Sequence, residues 1–206
     1  YKGVLGLNIG KNFDTPNHNA VDDYVTCLRG VFPHASYVTV NVSSPNTKGL
    51  RDLQAAAQLE QLLAALKSEQ QTLAKQHRRQ VPLLLKIAPD LNLAAIRDVA
   101  ALLLQYGFEG AIATNTTVSR DAVTGLKHAT EAGGLSGRPL FSLSTEILRE
   151  LVKHLKGNIP VIGVGGIMSA DDAQQKINAG ASLVQIYTGF IYRGPQLVAD
   201  CARQIQ

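Results

Sequence analysis

The sequence has 206 residues, 45% of them hydrophobic, which suffices for one sizeable core, and nothing in it reads as a linker between two. Its net charge of +4 comes from scattered Lys and Arg, with His77-Arg78-Arg79 the one dense basic patch, and only 5% of the residues are aromatic. That balance argues against a nucleic-acid surface and for a small anionic ligand or cofactor.

Cys27 and Cys201 lie far apart and match no metal-ligand spacing, and the histidines (His18, His34, His77, His128, His154) are equally dispersed. Neither a disulfide framework nor a metal site is expected, and a reducing, intracellular compartment is the simplest inference. No apolar run approaches the ~20 residues of a membrane span, and no signal peptide precedes Tyr1. The chain starts without an initiator and its one methionine is Met168, so it is expected to be a piece of something longer.

Short apolar runs alternate with amphipathic stretches. In chain order the pattern predicts a strand at 4–9, a helix at 21–30, a strand at 37–42 and a long helix at 53–76. A strand at 82–87, a helix at 93–106 and a strand at 110–114 follow. Then come a helix at 145–156, a strand at 160–164, a helix at 170–179, a strand at 183–187 and a last helix after Pro195. The strands are nearly continuous in Val, Ile, Leu or Ala, which predicts that both faces are covered. In the longest helix Leu59, Leu62, Leu63 and Leu66 form an apolar stripe; in the next, Ile96, Val99, Ala100 and Leu103 repeat it, with Asn92 as cap and Gly107 as stop.

Such alternation implies an α/β fold with a parallel sheet and right-handed crossovers. About six βα units are present, two short of a (β/α)8 TIM barrel, so either the sheet is open or the chain lacks the first two units. The missing initiator favours a partial barrel, one domain spanning 1–206, with two strand edges to cover.

Ligands of parallel βα arrays bind where the strands end, and polar residues collect there. Asn8 follows the first strand, and YVTVNVSSPNT turns from strand to loop at Ser43, Ser44, Pro45 and Asn46, where Pro45 stiffens the turn. Lys86 ends the third strand in LLLKIAPD; it either aims into a pocket, where an ammonium beside a redox ring stabilises the anionic reduced form, or snorkels to solvent. Thr114, Asn115, Thr116 and Thr117 end the fourth strand, Gly165 and Gly166 the fifth, Tyr187 and Thr188 the sixth.

VIGVGGIMSADDA reads as a strand, a glycine turn suited to a phosphate, and a helix capped by Ser169 with Asp172 three residues on; the plainer reading is a tight turn needing positive φ. The glycine-rich segment between Thr117 and Ser144 is expected to be a lid over the strand ends, folding down at GGLSGRPL. No Ser-His-Asp arrangement, HExxH or Walker lysine is present, which lowers hydrolase and NTPase readings.

Taken together, GLNIGKN, NVSSPNT, LLKIAPD, IATNTT, GGLSGRPL, IGVGGI and GASLVQIYTGF closely resemble class 2, quinone-dependent dihydroorotate dehydrogenase over essentially the whole chain. The resemblance implies an FMN-dependent barrel that oxidises dihydroorotate to orotate in pyrimidine (UMP) synthesis and passes electrons to a membrane quinone. It also implies that this sequence supplies strands three to eight, without the family's amino-terminal membrane-contacting helices and first two strands. An intact member would be peripheral on the cytoplasmic side of a bacterial inner membrane.

Matched motif to motif, Ser44 takes the place of the catalytic base. Asn41, Asn46, Asn115 and Thr116 fall on substrate-binding positions. Asn8, Asn41, Lys86, Thr114, Gly137, Gly166, Tyr187 and Thr188 fall on flavin-binding positions, the last three by the phosphate. A non-catalytic fragment binding a phosphate ligand, or another FMN-dependent barrel oxidoreductase, remain as alternatives, and the sequence does not fix the oligomeric state.

Overall fold

The structure, a computed structural model, describes residues 2–205. Its centre is one parallel sheet of six strands in sequence order: β1 Gly6–Ile9, β2 Tyr37–Asn41, β3 Leu83–Ile87, β4 Gly110–Ala113, β5 Val161–Val164 and β6 Leu183–Gln185. Helices α1 Ala20–Val31, α2 Ala56–His77, α3 Leu93–Tyr106, α4 Phe141–Leu155 and α5 Ala170–Asn178 make the crossovers; α6 Thr188–Arg193 and α7 Pro195–Gln204 follow β6. The sheet curls far enough that Gly6 and Asn8 of β1 and Gln185 of β6 line one cavity. Among the described residues β6 pairs only with β5, so the wall stays open between β6 and β1. This is the partial TIM barrel expected from the alternation.

The period of two sorts each strand into an outer and an inner face. In β3, Leu83, Leu85 and Ile87 bury outward against the helices, while Leu84 points inward and Lys86 lines the interior. Val38, Val40 and Val42 join the outer layer with Leu59, Leu62, Leu63 and Leu66 of α2 and with Ile96, Val99, Ala100 and Leu103 of α3. Each fully buried leucine there is worth roughly 1.5–3 kcal/mol of transfer free energy. The inner face carries a smaller apolar group, Leu84, Ile112 and Val164 with Tyr37 and Ile162.

Coverage of both faces holds for the middle strands and fails at the edges. Leu183 of β6 is 59% exposed, and Gly6 and Asn8 of β1 are exposed, because each edge strand has a neighbour on one side only.

Helix bounds differ from the pattern where local chemistry overrides it. A 3-10 helix, Leu50–Gln54, precedes α2; left-handed Gly49 opens it and extended Ala55 closes it, so α2 begins at Ala56 and not at 53. Helix α4 begins at Phe141, four residues earlier than expected, because a 3-10 turn with Pro139 leads into it and the Ser144 and Thr145 hydroxyls bond back to the Phe141 carbonyl at 3.1 and 2.6 Å. The expected strand through Tyr187 stops at Gln185, and α6 takes over.

The expected caps are in place. Asn92 Oδ1 accepts from Ala95 N at 2.9 Å, Gly107 ends α3 at φ 64°, and Ser169 Oγ accepts from Asp172 N at 3.2 Å. The basic patch is structural: Arg79 donates to the carbonyls of Pro33 and Ala35, tying α2 to the end of α1.

Candidate functional site

Buried Tyr24 of α1 donates at 2.6 Å to the Asn41 carbonyl and pins the end of β2; burial pushes its phenol well up. The Asn41 carboxamide is oriented by its oxygen. Oδ1 accepts from Ser43 N at 3.1 Å, Ser43 Oγ at 2.9 Å and Asn115 Nδ2 at 3.4 Å, which turns the Asn41 Nδ2 protons toward the interior. Asn115 is more fully engaged: Nδ2 also reaches Ser43 Oγ at 3.1 Å, and Oδ1 accepts from Thr116 N at 2.8 Å.

Ser44 follows on the same turn, half-buried, and its Oγ accepts from Asn46 N at 3.3 Å. Lys86 stands across from it on β3, also half-buried, and burial alone pushes its ammonium below the usual lysine range. Asp90, the acid nearest in sequence, is taken by Arg51 and Thr117.

Two adjoining cavities share Lys86, Asn115 and Gln185. The first, inside the curl, is lined by Asn8, Asn41 and Ser44 together with the shared residues. The second, about 250 Å³, runs along the strand ends past Thr114, Thr116, Gly137, Gly165, Gly166, Tyr187 and Thr188. Of the residues matched to catalytic, substrate or flavin positions, only Asn46 lines neither; it is exposed, and a Cβ added to Gly133 would stand 3.7 Å from its Oδ1.

The glycine turn has two reasons to be glycine. Gly165 and Gly166 have φ of 111° and 77°, and a Cβ on Gly166 would lie 2.5 Å from Phe141 Cα at the start of α4. The turn also opens onto the second cavity, which Thr188 lines too; Thr188 Oγ1 bonds Ser136 Oγ at 3.0 Å and so joins the glycine-rich segment to the start of α6.

That segment closes on itself. Thr117 and Leu135 pair as an isolated antiparallel bridge, and Arg120 holds the carbonyls of Glu131 and Gly133 at 3.0 and 2.6 Å. A Cβ on Gly134 would clash with Thr116 and meet Pro45 at 3.0 Å, so the segment rests on the loops after β2 and β4.

Several residues at the site were not assigned from the sequence. Ser43, fully buried, bridges Asn41 and Asn115; its place beside Ser44 in a two-hydroxyl turn was the available signal. Gln185 borders both cavities from β6, and the inward phase of that strand could have found it. Arg51 joins loops that are remote in sequence and left no local sign.

The family model described as dihydroorotate dehydrogenase matches residues 2–206. The chain is 63% identical over 205 residues to a protein of Burkholderia thailandensis named dihydroorotate dehydrogenase (quinone), covering all of this chain and 59% of the relative. A protein of the same name from Methylobacillus flagellatus is also 63% identical, with 61% of its length covered. A DHODH of Eimeria tenella crystallised with ferulenol superposes with a TM-score of 0.92 at 40% identity, covering 98% of this chain and 57% of that one. Its ligand-free form gives 0.91 at 39%, covering 100% and 60%. The chain thus spans about 60% of the length of the relatives it matches. With the curled parallel sheet, the cavities at its carboxyl rim and a match across the whole sequence, the chain belongs to the dihydroorotate dehydrogenase family.

Proposed function

We propose that this chain carries the flavin and substrate sites of a class 2, quinone-dependent dihydroorotate dehydrogenase, which oxidises (S)-dihydroorotate to orotate in pyrimidine (UMP) synthesis. The observation that carries the reading is Lys86, a half-buried ammonium between two cavities, with no carboxylate paired to it among the described residues. An ammonium so placed suits an electron-rich or anionic partner.

FMN fits the donor set: amide, hydroxyl and ammonium groups at one end, and at the other a glycine turn in which a side chain has no room. Lys86, Asn8, Asn41, Thr114 and Gly137 would hold the flavin, with Gly166, Tyr187 and Thr188 by its phosphate. Bound FMN supplies a two-electron acceptor. Lys86 stabilises the negative charge that reduction places there.

Asn41, through its inward Nδ2, and Thr116 and Asn115, which line the cavities, would grip the ring amides and carboxylate of the substrate, while Asn46, outside both cavities, is placed there by the resemblance alone. Ser44 Oγ would take a proton from one ring carbon, and hydride would pass from the neighbouring carbon to the two-electron acceptor that FMN would supply, which leaves the new double bond of orotate. A serine hydroxyl is a weak base, so its own proton must pass to water as it accepts the new one. The Ser44 Oγ accepts its bond from Asn46, which leaves its proton available for that transfer.

Quinone, on this reading, docks on parts of the family's fold that lie outside this chain, at the cytoplasmic face of a bacterial inner membrane. Among the described residues no helix is long and apolar enough to cross a membrane.

The test is flavin chemistry in the protein as its complete gene encodes it. Purified protein should carry FMN absorbance that bleaches on anaerobic mixing with dihydroorotate. Protein that takes up no FMN, or FMN-loaded protein that dihydroorotate leaves oxidised, ends the proposal.

A further inference from the structure

Arg51, in the 3-10 helix just after the Ser44 turn, holds three loops at once. Its Nε donates to the Ser43 carbonyl at 3.2 Å, its Nη2 to the Thr116 carbonyl at 2.7 Å and its Nη1 to Asp90 Oδ2 at 2.6 Å. Asp90 extends the link, accepting from Thr117 Oγ1 through Oδ1 and from Val118 N at 3.4 Å through Oδ2. The ion pair is only partly screened from solvent: Asp90 is an exposed residue, though the two side chains are 21% and 23% exposed. The loops after β2, β3 and β4 therefore meet on one guanidinium.

The carbonyls it takes are particular ones. Ser43 O belongs to the peptide leading into Ser44, and Thr116 O to a residue assigned above to the substrate. Arg51 itself is outside the apolar core and the strand ladders, so its bonds order the rim, not the sheet. A planar fork reaches several acceptors in fixed directions, whereas a lysine ammonium on a flexible stem cannot reproduce that set.

We propose that Arg51 is a positioning residue: by holding the Ser43 and Thr116 carbonyls and Asp90 together, it sets the spacing between Ser44 and the Asn115–Thr116 pair. Its effect on turnover rests on the function proposed above; its effect on the loops does not.

The experiment compares backbone hydrogen exchange in the parent, R51K and D90N, all without substrate. In R51K, segments 43–47 and 114–118 should both exchange faster, by about tenfold, while β5 and α5 stay as in the parent. D90N, which leaves both carbonyl contacts, should accelerate 114–118 by less, and it carries the test should R51K fail to fold. Unchanged exchange at 114–118 in both variants, or acceleration that spreads to β5 and α5, overturns the proposal.

A second arm reads chemistry. With flavin content unchanged, R51K should lower kcat/KM for dihydroorotate by about ten- to a hundredfold, and S44A/R51K should be no slower than S44A. Losses that multiply in the double variant would overturn action through Ser44. A parent that dihydroorotate fails to reduce would instead sink the functional reading, and the exchange measurements would still decide the clamp.

Discussion

Lys176 Nζ of α5 donates a 2.6 Å hydrogen bond to Ser144 Oγ of α4, and both residues are fully buried. Ser144 Oγ lies 3.1 Å from the Gly165 carbonyl, and the ammonium sits 4.9 Å over the Phe141 ring, so a charge is enclosed beneath the glycine turn. Burial pushes this lysine down to about 7 from the usual 10.5, against an opposing pull from Asp172. Between those values the unfolded chain binds more protons than the folded one, so stability rises with pH from about 7 to 10.5 and this group adds no dependence below 7. The slope is at most about 1.4 kcal/mol per pH unit. The urea midpoint of the parent minus that of K176M should rise with pH across that range; a constant difference would refute the lowered titration of Lys176.

Ser44→Ala removes the proposed base without touching the packed core. Flavin reduction by dihydroorotate should slow by about a hundredfold or more, with FMN content and reoxidation unchanged. Stopped-flow traces separate the two half-reactions, and normal reduction would rule out the assignment.

Lys86→Met keeps the length of the side chain and removes its charge. Because burial alone acts on this ammonium, no neighbouring carboxylate among the described residues is left stranded. Reduction should slow by about a hundredfold and the flavin potential should move negative, since the proposed site loses the Lys86 charge. Spectroelectrochemical titration checks the sign.

Gly166→Ala places a methyl group 2.5 Å from Phe141 Cα at φ 77°. Backbone at that φ costs a side chain about 1–3 kcal/mol, and the contact with α4 adds to it. The variant should melt earlier and lose FMN together, whereas Gly157→Ala, with open space around its Cβ, should show the φ cost alone.

The six strands and their order were legible because outward Val, Ile and Leu runs such as 38–42 and 83–87 carry the helix-facing layer. Caps at Asn92 and Ser169 could be read locally because a cap joins residues three apart. The start of α4 was missed because Ser144 and Thr145 look like helix breakers until their hydroxyls are seen bonded to Phe141. The rim cluster was legible as six polar strand ends, yet its wiring was not. Whether Asn115 spends its amide on Asn41 and Ser43 or offers it to a ligand depends on contacts across 72 to 74 residues, which no local pattern encodes.

Along β3, leucines and isoleucine at odd numbers face the helices while the even-numbered Lys86 faces inward. Inserting one residue ahead of Leu83 would trade these roles, driving an ammonium into hydrocarbon and a leucine into the inner cavity. New chemistry at this position can thus arise by exchanging side chains in place, or by remodelling the loops above, but never by sliding the strand.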